Sequence, residues 1–230
     1  MPANNPLKAA LAAAAISLAP FAAEATLMRA VPFDEKVEHS AAIVVGKCLR
    51  TESQWDASHR QILTYATFRI EKTIKGTPAP NQEMTIVTPG GRVGNVRQDS
   101  IGIPAFEEGD ENLLFVRNSE VGPTVAYLEQ GAYDIVTVGN ERIVQPVETE
   151  SVHIDEQRGV AVPAEEARPL RQFEGEVRAA EKRIAFQRMQ MMQKKQKEES
   201  AIWPVVRKNA LLIALALVGA ALATWQFLRK

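Results

Sequence analysis

The stretch "ILTYATFRIEKTI" at 62–74 restricts the fold of this chain more than any other segment. Within it Tyr65, Thr67, Arg69 and Glu71 alternate with Ala66, Phe68, Ile70 and Lys72. A period of two sends the two sets to opposite faces of a strand, whereas a helix would scatter the apolar set around its axis. The following "KGTPAPNQ" at 75–82 is too rich in Gly and Pro to continue as a helix. The same kind of signal recurs on both sides. "AIVVGKCL" (42–49) precedes it, and "EMTIVTP" (83–89), "NLLFVRN" (112–118), "VAYLEQ" (125–130), "AYDIVTV" (132–138) and "ERIVQPV" (141–147) follow. Gly139-Asn140 tolerates the positive φ of a tight hairpin between the last two. About seven strands joined by short turns predict a mainly β domain over 26–147, built as a small antiparallel OB-like barrel. "VPFDEKVEHS" at 31–40 predicts a short helix over one end, and the polar segment 148–163, with Gly159 and Pro163, reads as a linker.

The pattern then changes period. Leu170, Phe173, Val177, Ala180 and Ile184 fall at steps of three and four, with Met191 seven beyond Ile184. This predicts a long amphipathic helix at 164–202, a stalk that serves as a spacer or pairs with another helix. Gly175 weakens it by about 1 kcal/mol relative to alanine. Phe173, Val177, Ile184, Met189, Met191 and Met192 are the candidate partner-facing residues, the methionines because an unbranched thioether adapts to many surfaces.

The two ends fix the expected location. "MPANNPLKAALAAAAISLAPFAAEA" at 1–25 has one early lysine, an apolar run and small residues at Ala23 and Ala25, the layout of a cleaved secretory signal. Residues 210–228, "ALLIALALVGAALATWQFL", carry no charge, and Trp203 and Trp225 stand near their ends. Such a run predicts a single C-terminal transmembrane helix, at 207–228, with Pro204 bending the chain before it. A signal at one end and a span at the other predict a single-pass cell-membrane protein with its bulk extracytoplasmic, in the periplasm where the source has two membranes. Oligomerisation through the stalk or the membrane helix is a further expectation.

Charge and composition narrow the partners. Residues 26–163 carry 13 Lys and Arg against 20 Asp and Glu, and an acidic domain is unsuited to nucleic acid. Cys48 is the only cysteine, so no internal disulfide forms, and its apolar neighbours point to a buried, inert thiol.

The glycine cluster in "TPGGRVGNVRQDSIGIPAFEEGDENLLFV" (88–116) invites a phosphate-loop reading, but no Gly-Lys-Ser/Thr is present. Gly102 and Pro104 also preclude the helix that a dinucleotide turn must open. His39, His59 and His153 are widely separated, with no H-E-x-x-H, no cysteine pair and no G-x-S-x-G. Neither cofactor nor metal is therefore expected, and no catalytic residue stands out. Long loops on barrels carry recognition, which makes Trp55, Gly90, Gly91, Arg92, Asn95 and Phe106 the candidate binding residues. The alternative for the glycines is that they serve backbone geometry alone.

Several of these pieces occur together in a known order. "AAIVVGKCLRTESQWD", "TYATFRIEKTIKG", "TIVTPGGRVGNV" and "GIPAFEEGDENLLFV" give V-V-G, a following Trp, E-x-x-x-K-G, P-G-G and P-x-F-x-x-G-D. In this the chain resembles a family of exported bacterial β-barrel proteins, over roughly half of residues 26–230. Its strand order is also similar to the OB-type barrel of netrin-like modules and tissue metalloprotease inhibitors. Those inhibitors chelate a metal through an N-terminal cysteine; here the expected mature start is Thr26, so the resemblance does not carry that mechanism over. The ends, the loops and the helix together lead to the expectation of a membrane-anchored extracytoplasmic binding or scaffold module without catalytic activity and with a protein partner. The alternatives are a regulator or inhibitor of an extracytoplasmic protease or envelope complex, and an enzyme with a dispersed active site.

Overall fold

A computed structural model describes residues 26–147 and 151–208, together with Trp225. The expected signal at 1–25 lies outside the described residues, as does nearly all of the expected membrane helix at 207–228. No helix among the described residues is long and apolar enough to cross a membrane.

The alternating segments form strands. They are β1 (Leu27–Arg29), β2 (Ala42–Trp55), β3 (Ile62–Lys75), β4 (Glu83–Pro89), β5 (Gly91–Val93), β6 (Val96–Gln98) and β7 (Glu111–Ser119). Then come β8 (Gly122–Val125), β9 (Ala132–Val138), β10 (Glu141–Pro146), β11 (Val152–Asp155), β12 (Val160–Ala161) and β13 (Arg168–Pro169). Helix α1 (Phe33–His39) lies where the sequence places a short helix, and α2 (Leu170–Lys208) carries the apolar stripe. Eight strands make one sheet, ordered β13-β10-β9-β7-β2-β3-β4, with β8 paired to the end of β7.

Both faces of this sheet are buried. Ile43 and Val45 of β2, with Leu113 and Phe115 of β7, pack against Val37 of α1 and Phe173, Val177 and Ala180 of α2. Ala42, Val44 and Cys48, with Leu114 and Val116, pack on the other side against Phe68, Ile86 and Phe106. Burial on two faces explains why these strands read as continuous apolar runs. Three register shifts bend β2 against β3, at Ile43/Val44, Val45/Gly46 and Cys48/Arg50. Gly46 is required at the second, since a Cβ there would sit 2.7 Å from the Arg69 carbonyl oxygen.

The bend coils the sheet but does not close it, which corrects the expected seven-stranded barrel. β4 approaches β8, where a Cβ on Gly122 would lie 3.4 Å from Val87 Cγ2, but the two strands are not paired. Proline accounts for part of this. Pro89 in β4, Pro123 in β8 and Pro169 in β13 each withhold an N–H from a sheet margin.

Three further expectations change. The segment 125–130 is not a strand: β8 ends at Val125, and a 3-10 turn (Leu128–Gly131) follows Tyr127, with Tyr127 and Leu128 at φ of 60° and 58°. Residues 152–155 and 160–161 of the expected linker are strands, in a small second sheet ordered β1-β11-β12. That sheet rests on main-chain bonds, Val152 N to Thr26 O at 2.9 Å and Ala30 N to Ile154 O at 2.8 Å, so its sequence needs no apolar alternation. The long helix starts at Leu170, after Pro169 closes β13, and runs through Pro204 to Lys208.

The first half of α2 belongs to the core. Phe173 meets Tyr133, Phe33 and Phe115 nearly edge-on, with centroids 5.1, 5.4 and 6.1 Å away. Each such buried side chain contributes about 1.5–3 kcal/mol. On the outside, Arg183 reaches Asp34 at 2.5 Å and Arg188 reaches Glu38 at 2.9 Å, tying α2 to α1. Exposed pairs of this kind add about 0–1 kcal/mol each, so the apolar stripe dominates the attachment.

Candidate functional site

Each sequence-nominated residue now has a place. Trp55 is half-buried at the end of β2, opposite Ile62, whose carbonyl accepts the Gly90 N–H at 2.8 Å. Gly90 and Gly91 have φ of 98° and 128° and pass directly over the β2–β3 hairpin. A Cβ at Gly91 would lie 2.3 Å from Thr64 Oγ1 and 2.4 Å from Ser53 Oγ, so its absence is a packing requirement. Arg92 and Asn95 are exposed on the β5–β6 hairpin, where Arg92 Nε donates to the Gly94 carbonyl at 3.2 Å. Phe106 does not join them. It is buried against Phe68, rings 5.2 Å apart and near perpendicular, which corrects its expected place among the contact residues.

The helix nominations divide likewise. Phe173, Val177 and Ile184 face the core, which corrects their assignment to a partner. Met189, Met191 and Met192 remain open, with Phe186 beside them. The three histidines have separate surroundings. His39 Nδ1 lies 2.8 Å from Tyr127 OH, His59 sits in the β2–β3 turn at φ 55°, and His153 Nε2 lies 3.1 Å from Glu129 Oε1. Among the described residues no group of three or more His, Cys, Asp or Glu is placed to hold a metal ion.

The most organised polar cluster comprises residues that the sequence did not single out. Lys36, on α1 beside Val37, points inward and its side chain is only 2 % exposed. Its ammonium donates to Tyr133 OH at 2.5 Å, to the Gln130 carbonyl at 3.2 Å, and to Glu165 Oε1. Tyr133 OH donates in turn to the Glu165 carboxylate, 3.2 and 3.1 Å from its two oxygens. Arg168 Nη2 donates to Glu165 Oε2 at 3.2 Å. The Arg168 guanidinium also stacks 4.6 Å from the Phe173 ring centre and pairs with Glu176.

Burial and charge act against each other in this cluster. Burial depresses the Lys36 ammonium, with the Glu165 charge partly restoring it. Burial, reinforced by the neighbouring Glu165 charge, drives the Tyr133 phenol well above its ordinary value. For Glu165, burial acts upward, but the attraction and hydrogen bond of Lys36, with Arg168, outweigh it and hold the carboxyl below the usual range. The cluster is therefore a buried ammonium–carboxylate pair bridged by a neutral phenol.

Beside it lies a cleft of about 740 Å³ between the small β1-β11-β12 sheet and the β9–β10 hairpin. Val31, Val147, Val152, Val162 and Pro146 supply apolar walls. Tyr133, Glu165, Gln145 and the Glu129–His153 pair supply polar groups. Glu129 is itself buried, its N–H bound to the Gly102 carbonyl at 2.8 Å. A second hollow of about 790 Å³ opens on the other side of Glu165, between the 165–169 segment and Arg183 of α2.

Comparison with known proteins found no matching family model, no matching curated protein and no matching solved structure.

Proposed function

We propose that this chain is a binding module without chemistry of its own, carried outside the membrane by a C-terminal anchor, with recognition in the cleft beside Tyr133. The observation that carries the reading is the cleft itself. Its volume and its mix of apolar walls with a few converging polar groups match those of ligand sites. Gln145, Tyr133, Glu165 and the Glu129–His153 pair meet the apolar walls there, the kind of lining that fixes a ligand's orientation. The resemblance to exported bacterial β-barrel proteins and the apolar run at 210–228 support the extracytoplasmic, anchored placement. Helix α2 would then hold the module off the bilayer, because its first half is fastened into the core. A regulatory role toward an extracytoplasmic protease or envelope complex draws support from a different surface, the exposed Phe186, Met189 and Met192 of α2.

Site-specific photo-crosslinking in membranes tests the assignment. A crosslinking residue at Gln145, in the cleft, should yield a defined adduct. One at Val138, exposed on β9 away from the cleft, should yield none. Adducts from Met192 alone would move recognition to α2, and the absence of any adduct from Gln145 would overturn the cleft reading.

A further inference from the structure

We propose that Lys36, Tyr133 and Arg168 form a carboxylate-binding site that Glu165 fills in the resting chain. A carboxylate ligand with an apolar body takes its place through the cleft. This deepens the reading of the cleft as a recognition site and rests on it.

Three features of the geometry support the exchange. The donors come from regular elements fixed by the core: Lys36 from α1, Tyr133 from β9 and Arg168 from β13. The acceptor does not, since residues 162–167 have neither helix nor strand. Three donors therefore converge on one carboxylate delivered by an extended strap, with charge-assisted bonds of the kind that recognise carboxylates. The second feature is access. The Lys36 side chain is 2 % exposed but that of Glu165 is 35 % exposed, so the carboxylate stands between the buried ammonium and solvent. The third is space. Hollows lie on both sides of Glu165, giving the side chain room to withdraw and an incoming group a path. Val31, Val147, Val152 and Val162 line the path on the cleft side, which sets the apolar character of the ligand's remainder.

A small carboxylic acid and the C-terminus of a peptide offer the same head group. Thermal unfolding of the full-length Glu165→Ala chain at pH 7 separates them, titrated with acetate, with N-acetyl-Ala-Ala, and with its C-terminal amide. Chloride of equal ionic strength is the control. Acetate should raise the Tm saturably, by about 3–6 °C at tenfold over the dissociation constant. At equal concentrations, a larger rise with the acetyl dipeptide identifies a peptide terminus as the source, and an equal rise identifies a small acid. The amide should match chloride, and Lys36→Met in the same background should abolish the effect. If Glu165→Ala does not fold in any of these solutions, the titration is repeated on Glu165→Asp, whose carboxylate is drawn back by one methylene. Saturable stabilisation supports the site there too. Stabilisation no greater than with chloride, in whichever variant folds, overturns the proposal. That failure would leave crosslinking from Gln145 intact, whereas loss of crosslinking with a positive acetate titration would leave the site without a membrane partner.

Discussion

Removing Glu165 should cost much more when Lys36 stays than when Lys36 is also replaced. In Glu165→Ala the ammonium keeps Tyr133 OH and the Gln130 carbonyl but loses the Glu165 carboxylate. Breaking a fully buried ion pair by deleting one partner costs about 3–5 kcal/mol. Here the Glu165 side chain is a third exposed, so water reaches the vacated position and the expected cost falls to about 2–3 kcal/mol. Lys36→Met alone leaves a carboxylate that still has Arg168 and Tyr133, and should cost about 1–2 kcal/mol. In the double variant no charge is stranded, and methionine occupies the lysine's volume. Its stability should lie within about 1–2 kcal/mol of the parent, giving a coupling of about 2 kcal/mol. Urea unfolding of the full chain in mild detergent, followed by far-UV circular dichroism, measures all three. Single costs that simply add would refute the argument, because they would show that the pair is not energetically coupled.

Core and surface residues of α2 should differ sharply in the same assay. Phe173→Ala should lose about 3–5 kcal/mol, while Met191→Ala should stay within about 0.5 kcal/mol. Two glycine substitutions should have opposite signs. Gly91→Ala meets Thr64 and Ser53 side-chain oxygens at 2.3 and 2.4 Å and a φ of 128°, and should cost more than about 1 kcal/mol. Gly175→Ala, with nothing within 4 Å and an α-helical position, should gain about 0.5–1 kcal/mol. Acid should unfold the chain through its paired carboxylates. Arg183 lowers Asp34, Arg29 lowers Glu35, Lys36 and Arg168 lower Glu165, and Ser58 with the local backbone lowers Asp56 to about 2. Each binds its proton more readily in the unfolded chain. Their stabilisation is complete above the ordinary carboxylate range and is lost as pH falls toward 2, which a pH series of urea midpoints reads directly.

Much of the fold was legible because local pattern decided it. β4 and β9 run at 83–89 and 132–138 as read, and the stripe Leu170, Phe173, Val177, Ala180, Ile184 is buried as one face. The 3.6-residue period specified which face of α2 is apolar, but not what covers it. Phe173, Val177 and Ile184 are equally consistent with a partner helix and with the chain's own sheet, and only the tertiary fold assigns them to the sheet. The small β1-β11-β12 sheet left no trace, since β1 and β11 pair in parallel across more than a hundred residues through main-chain groups. Closure of the main sheet was illegible for a related reason: it depends on how far three bulges in β2 turn the sheet, and on whether proline-bearing margins can pair.

The candidate site was hidden more deeply, and its chemistry explains why. Lys36 sits among Asp34, Glu35 and Glu38 in what reads as a short, acidic covering helix, and nothing in that helix's sequence reveals that its ammonium lies beside Tyr133. Its partners are 97 and 129 residues away, so no spacing rule could connect them. One local signal did exist. Tyr133 alternates with Ala132 and Asp134 and shares its face with Ile135, which commits a phenol to the core. A buried phenol needs a hydrogen-bond partner. Glycines mark backbone constraints, visible in any sequence, whereas the proposed recognition depends on three donors meeting only after folding. A carboxylate from the 162–167 strap completes that meeting, and the acetate titration of Glu165→Ala asks whether another carboxylate can.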